Sequence, residues 1–281
     1  MTPFLARQER FASVGSTNDV VRGWLADGTP EVCLAVADEQ TAGRGRNGRT
    51  WVAPAGAALL LSLGFRPTWL PPDRVWRLVA TTSLAMADAA EEVGGLADRV
   101  IRLKWPNDLV IEGEHGGGVR KLAGLLGETD GLGTDEPRAV VGLGINADWV
   151  PSAFPAELVG TMTSLHEASG GRPVDLSALL DAFLGRLEVR IEALRAGRFD
   201  VADWTERQLT TGRAVTIAGH DGGTWTGQAL GVDTGSGALV VEDAGAPSGE
   251  RAVLVGEIVH VRLAGAGVEP TGLPTVATSG V

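Results

Sequence analysis

Apolar residues recur along the chain in two rhythms. Continuous runs of strand length, Val32 to Ala37, Ala57 to Phe65, Val100 to Leu103, Leu109 to Ile111, Leu122 to Gly127 and Ala139 to Ile145, predict buried β-strands. Residues 73–92, with Val75, Leu78, Val79, Leu84, Met86 and Ala90, and residues 175–195, with Leu176, Leu179, Leu180, Phe183, Leu187, Ile191 and Leu194, repeat near the helical period. A shorter helix is expected from the start signal Ser16-Thr17-Asn18-Asp19 to about Ala26, after a strand end at Ser13-Val14 and before the stop Asp27-Gly28. Gly113 to Gly118 reads as a hairpin tip. This order suits a mostly antiparallel sheet with packed helices, an α+β class, better than a βαβ repeat.

From Gly212 the texture changes. Ala214 to Ile217, Thr224 to Leu230, Ala238 to Val241 and Val253 to Val261 are short strand-like pieces between Gly-rich or acidic turns. A small β-barrel of about 50 residues is the simplest account. After Leu263 the apolar period is lost and a flexible tail is expected. The expected division is therefore 1–209 for the main domain, 210–264 for the barrel and 265–281 for the tail.

Composition narrows the function classes. With 281 residues and 44% hydrophobic content, the chain can bury a substantial core. It has no run near the ~18 apolar residues of a membrane span, and no apolar stretch follows a basic start in Met1 to Phe11. A cytoplasmic location without membrane contact is expected. The single cysteine, Cys33, sits in an apolar run and reads as a small core residue. A net charge of -11 argues against nucleic-acid binding, which needs clustered cations. Yet Arg44, Arg46 and Arg49 form a local cationic spot suited to a small anion. The chain uses 22 Arg but only two Lys, 104 and 121, and only four Asn, 18, 47, 107 and 146, with no Tyr. Under the bias that a GC-rich genome produces, a retained Lys or Asn suggests that its chemistry is needed.

Five segments carry those residues. In Gly43-Arg44-Gly45-Arg46-Asn47-Gly48-Arg49-Thr50-Trp51, the Gly43 and Gly48 spacing approaches a Walker A loop. The motif's Lys is replaced by Arg, however, and a Pro and a Gly follow where a helix should start. A mobile phosphate-gripping loop accounts for the alternation of glycine and arginine beside a large aromatic. Leu103-Lys104-Trp105-Pro106-Asn107-Asp108-Leu109 places Asn107 and Asp108 at a corner between strands, which an Asx turn alone would also explain. Lys121 leads the strand Lys121 to Glu128, either blunting a sheet edge or serving as a point charge for a carboxylate or phosphate. Gly142-Leu143-Gly144-Ile145-Asn146 puts two glycines on one strand face, leaving room. Ser16-Thr17-Asn18 is either a capped helix start or a recognition site for a neutral polar head group. His115, His166, His220 and His260 are isolated and carry no metal-ligand spacing, and no Gly-x-Ser-x-Gly elbow occurs.

In this order, and with Gln40 added, the five segments resemble the biotin protein ligases over residues 10 to 263, specifically a monofunctional type with no room for an N-terminal DNA-binding domain before Ser16. The resemblance implies a catalytic domain related to class II aminoacyl-tRNA synthetases followed by an SH3-like β-barrel. It also implies formation of biotinyl-5′-AMP from biotin and ATP with Mg²⁺, then transfer to a lysine of a biotin carboxyl carrier protein or domain of a biotin-dependent carboxylase. Ser16, Thr17, Asn18 and Gln40 would contact biotin, while Arg44, Gly45, Arg46 and Lys121 would surround its carboxylate and the adenylate phosphate. Arg49, Trp51, Asn107, Asp108 and Asn146 would contact the nucleotide or its metal, with Lys121, Arg46 and Asp108 as the catalytic set. No dedicated protein metal site and no nucleic-acid partner are expected, and the oligomeric state is a monomer or a weak homodimer. A lipoate ligase of the same superfamily and a module that only sequesters biotin are the competing readings.

Overall fold

The computed structural model describes residues 4–113, 118–220, 222–255 and 258–263. Seven strands form the larger sheet: β1 (Arg7–Phe11), β2 (Cys33–Ala37), β3 (Ala58–Phe65), β4 (Ile101–Lys104), β5 (Asp108–Glu112), β6 (Val119–Asp130) and β7 (Arg138–Asn146). Their order is β1-β2-β3-β7-β6-β5-β4, with β1 parallel to β2 and every other neighbour antiparallel. Three longer helices, α1 (Thr17–Ala26), α2 (Trp76–Gly94) and α4 (Leu176–Arg195), and two short ones, α3 (Leu165–Ala168) and α5 (Val201–Glu206), pack on it. Among the described residues no helix is long and apolar enough to cross a membrane.

Strand alternation sends Leu34, Val36, Leu59, Leu61, Leu63, Leu143 and Ile145 to one face, where they join Leu78, Leu84 and Met86 of α2 and Phe183, Leu187 and Ile191 of α4 in the main core. α4 starts where Asp175 accepts hydrogen bonds from Ser177 N and Ala178 N, a cap worth ~1 kcal/mol. α1 covers one end of the opposite face, with Val21, Trp24 and Leu25 on Cys33, Ala35 and Val140. The thiol of Cys33 lies under that helix beside Gly64, where an added methyl would stand 2.5 Å from its sulfur.

The other end of that face is covered by a second sheet of β8 (Ala214–Gly219), β9 (Thr224–Val232), β10 (Leu239–Glu242), β11 (Glu250–Val253) and β12 (Ile258–Leu263). Val215, Ile217, Ala229 and Leu239 of this unit share a core with Trp105 and Val110. The strand order is β11-β10-β9-β8-β12, with no pairing between β11 and β12 among the described residues. The single strand expected from Val253 to Val261 is instead two strands on opposite edges of this sheet. Residues 114–117, the centre of the expected hairpin tip, and 265–281, the expected tail, lie outside the described residues.

One charged residue fastens the sheet's far edge. Arg207, 2% exposed, donates to both oxygens of Glu91, to Asp203, to Asp88 and to Ile101 O at 2.7–3.1 Å. Burial alone would push its guanidinium pKa down, but these carboxylates outweigh it and hold the pKa above the ordinary value. The backbone at 207–209 pairs with β4 through Leu103 N to Arg207 O and Leu209 N to Leu103 O, both 2.8 Å. That pairing holds the strand that runs into Lys104 to Asp108.

Candidate active site

Between α1 and the second sheet, the face bearing Ser62, Gly142, Gly144, Gly124 and Asp108 stays open, and the Gly43 to Trp51 loop folds across it. Ser16, Thr17, Asn18, Gln40, Arg44, Gly45, Arg46, Arg49, Trp51, Asn107, Asp108 and Lys121 all line this one cleft. Residues up to 105 positions apart are thus brought together by the sheet register.

The end beside α1 is neutral and polar. Ser16 occupies the helix N-cap without a side-chain capping bond, so its hydroxyl is not used by the helix. Gln40 Oε1 accepts from Thr17 N at 2.8 Å and Thr17 Oγ1 at 3.0 Å, which leaves Gln40 Nε2 as a donor. Ser62 Oγ lies 2.6 Å from Asn18 Oδ1 and 2.7 Å from Thr17 Oγ1. Ser62 is fully buried and escapes a reading of motifs, although one hydroxyl inside the apolar run Ala58 to Phe65 is a detectable signal. Asn18 can cross the sheet because position 142 lacks a side chain; a methyl there would collide with Asn18 Oδ1. Gly142→Ala should therefore destabilise the fold by about 1–3 kcal/mol, as overpacked sites do, and urea unfolding measures it.

The other end is charged. Strand alternation alone would place Lys121 on the opposite face from Gly124, three residues on. A bulge at Leu122, where Leu109 pairs with Ala123 but Val110 pairs with Lys121, returns Lys121 to the open face. Its Nζ then lies 2.7 Å from Asp108 Oδ1 and 5.3 Å from the centre of the Trp51 ring. Its backbone is held by Thr161 O and Thr163 N at 2.7 and 2.9 Å. The Trp51 indole rests on bare backbone: a methyl on Gly144 would approach it to 2.6 Å, and one on Gly124 would come within 3.1 Å of it and 2.9 Å of Lys121 Nζ. Trp51 Nε1 is buried without a hydrogen-bond partner, a donor in want of an acceptor.

The loop is a narrow hairpin, with Trp51 N bonded to Gly43 O and Gly45 N to Arg49 O at 2.9 and 2.7 Å. Arg46 Nη2 donates to Val255 O at 2.9 Å and so links the loop to the second sheet; burial pushes its pKa down, though a guanidinium remains charged. Two of the expected site residues are engaged structurally. Asn107 Nδ2 donates to Leu125 O at 2.5 Å and pins the corner to β6. Asn146 is buried at the end of β7, outside the cleft lining, with Nδ2 bonded to Thr163 O at 2.9 Å. It braces the segment that holds Lys121.

Residues 11–146 match the biotin/lipoate A/B protein ligase family. The chain is 32% identical over 255 residues to the biotin--[acetyl-CoA-carboxylase] ligase of Mycobacterium tuberculosis, covering 89% of this chain and 88% of that one. It is 32% identical over 234 residues to the bifunctional ligase/repressor BirA of Bacillus subtilis, covering 82% of this chain and 67% of the relative. Among solved structures, the biotin protein ligase from Aquifex aeolicus in complex with biotin and ATP superposes with a TM-score of 0.72 at 25% identity, over 92% of this chain and 99% of that one.

Proposed function

The chain belongs to the biotin/lipoate A/B protein ligase family, and from that premise we propose that it joins biotin and ATP into biotinyl-5′-AMP, releasing pyrophosphate, and then transfers biotin to a lysine of a biotin carboxyl carrier domain. One observation carries this reading: a single cleft has a neutral amide and hydroxyl cluster at one end and Lys121 beside Asp108 at the other. A ureido ring asks for fixed donors and acceptors. A carboxylate and an α-phosphate, which repel each other, ask for cations between them.

In the first step a biotin carboxylate oxygen attacks the α-phosphorus as the bond to pyrophosphate breaks. Lys121 and Arg46 stand where negative charge accumulates and lower the barrier. Arg49 and Asn107 face the nucleotide, Trp51 Nε1 supplies it a donor, and the loop excludes water from the mixed anhydride. Gly45 lets the loop backbone approach, and Asn146 acts through Thr163 on Lys121. In the second step the carrier lysine amine attacks the acyl carbon and AMP leaves, with Asp108 orienting the amine.

Asp108 is the one carboxylate among the described residues lining the cleft, and no cluster of three His, Cys, Asp or Glu gathers among the described residues. This donor set fits Mg²⁺, which keeps most of its waters: Asp108 would be the residue to hold it, with the other ligands coming from phosphate oxygens and water. Bound there, Mg²⁺ would neutralise triphosphate charge. The second sheet, from about residue 210, is assigned to an SH3-like barrel on its five short strands and shared core.

Lipoate, with an apolar dithiolane head, has no use for the Thr17, Asn18, Gln40 and Ser62 hydrogen-bond cluster, which favours biotin. The test is ATP–pyrophosphate exchange. Exchange with biotin and none with lipoate is expected; exchange with lipoate alone, or with neither, would falsify the assignment. Transfer from preformed biotinyl-5′-AMP should slow in Asp108→Asn, and an unchanged rate would remove the role given to Asp108.

A further inference from the structure

The first arginine of the loop turns away from the cationic end of the cleft. Arg44 Nη1 and Nη2 grip Asp19 Oδ2 and Oδ1 at 2.6 and 2.7 Å as a fork, and Nη2 lies 3.8 Å from Glu128 Oε2. Asp19, in the first turn of α1, also holds Arg22 at 2.5 Å, and Arg22 Nη2 reaches Glu128 Oε1 at 2.7 Å. The second oxygen of Glu128 accepts from Asn18 Nδ2 at 2.6 Å. Two guanidinium groups, two carboxylates and one amide therefore link the loop, the helix and the strand around the neutral end of the cleft.

The chemistry of each member is directional. Glu128 can only accept, so Asn18 must turn its amino group outward and its Oδ1 toward Ser62 and the cleft. A ligand N–H that bonds to Oδ1 steadies Asn18, and through Glu128 it steadies Arg22 and Arg44. Linkage makes the effect mutual: whatever the ligand does for the loop, the closed loop does for the ligand. The four charged side chains are partly exposed, and pairs of this kind shift equilibria only a few-fold. Weak fastening suits a cover that must open in every turnover. The hydrogen bond from Arg44 keeps the Asp19 carboxyl below the usual carboxylate range, so the fork persists at neutral pH.

We propose that Asp19 and Glu128 are positioning residues that fasten the Gly43 to Trp51 loop through Arg44 and tie its closure to occupation of Asn18. This rests on the ligase reading, in which the closed loop retains biotinyl-5′-AMP. In that role Arg44 is a latch for the head-group end, while Arg46 and Lys121 serve the phosphate.

The test uses the full chain and three readouts: release of biotinyl-5′-AMP in a chase, KM for biotin, and kcat of exchange. Asp19→Asn should speed release about three- to tenfold with kcat changed by less than about twofold, and Asp19→Glu should restore retention. Glu128→Gln should raise both the release rate and KM for biotin. Arg44→Gln combined with Asp19→Asn should release no faster than either alone, because both cut the same link. Added salt should speed release from the unaltered protein more than from Asp19→Asn. Release from Asp19→Asn at the unaltered rate, or additive effects of the Asp19 and Arg44 changes, overturns the latch. If the unaltered protein forms no biotinyl-5′-AMP, the ligase reading itself fails; if it forms and retains the adenylate while the variants match it, only the latch fails.

Discussion

Lys121→Met should lower biotin-dependent ATP–pyrophosphate exchange by about 10²- to 10³-fold, the usual cost of removing one preorganised charge-stabilising donor. Both lysines line the cleft, Lys104 opposite Asp108 in the β4–β5 pairing, but it is Lys121 whose Nζ lies 2.7 Å from Asp108 Oδ1 over the glycine floor. Lys121→Arg should recover little. The ammonium already lies 2.9 Å from where a Gly124 methyl would be, and the Trp51 ring closes the other side, so a planar guanidinium has no room. Because the charge acts on the reacting groups, the loss should fall on kcat, with KM for biotin changing far less. A fall below about threefold would show that the loop arginines carry the step without Lys121.

Arg207→Leu should destabilise the protein by about 3–5 kcal/mol, since it strips the partner from Glu91, Asp88 and Asp203 at a site almost closed to water. For a chain of this size that amounts to a fall in Tm of about 10 °C, read by calorimetry or by circular dichroism on heating. The damage should reach the site, because the segment at 207–209 holds β4, and β4 leads into the Asn107-Asp108 corner. Residual activity measured well below the new Tm should therefore be reduced as well. An unchanged Tm would mean that Arg190, which also pairs with Asp88 and Asp203, suffices for these acids.

The legibility of the chain differs from element to element for physical reasons. The strands β2, β3 and β7 were readable because burial makes their residues nearly continuous apolar runs of strand length, and the helices α2 and α4 because their large apolar side chains recur near the helical period. The strand β1, Arg-Gln-Glu-Arg-Phe, was not, because it carries no apolar alternation and forms by pairing with the open edge of β2. The short helices α3 and α5 rest on local caps, Ser164 and Asp200, and are too brief to show a period.

At the site, Gly142, Gly144 and the Asn107-Asp108 corner stood out as polar or glycine residues interrupting apolar runs. The face on which Lys121 lies could not be read by counting in twos, since the bulge at Leu122 is a feature of its pairing with β5. The link from Arg44 to Asp19 was equally hidden. It joins residues 25 positions apart through surface charges that follow no sequence period.

The seat of Cys33 beneath α1 has a practical consequence. Burial pushes its thiol up to about 11, so at pH 7 roughly one molecule in ten thousand carries the reactive thiolate, and the helix shields that one. Thiol-directed dyes should thus find nothing to label in the unaltered chain, which has no other cysteine. A cysteine placed at Val52, 70% exposed just beyond Trp51, would accept a fluorophore alone and report the opening and shutting of the cleft as light.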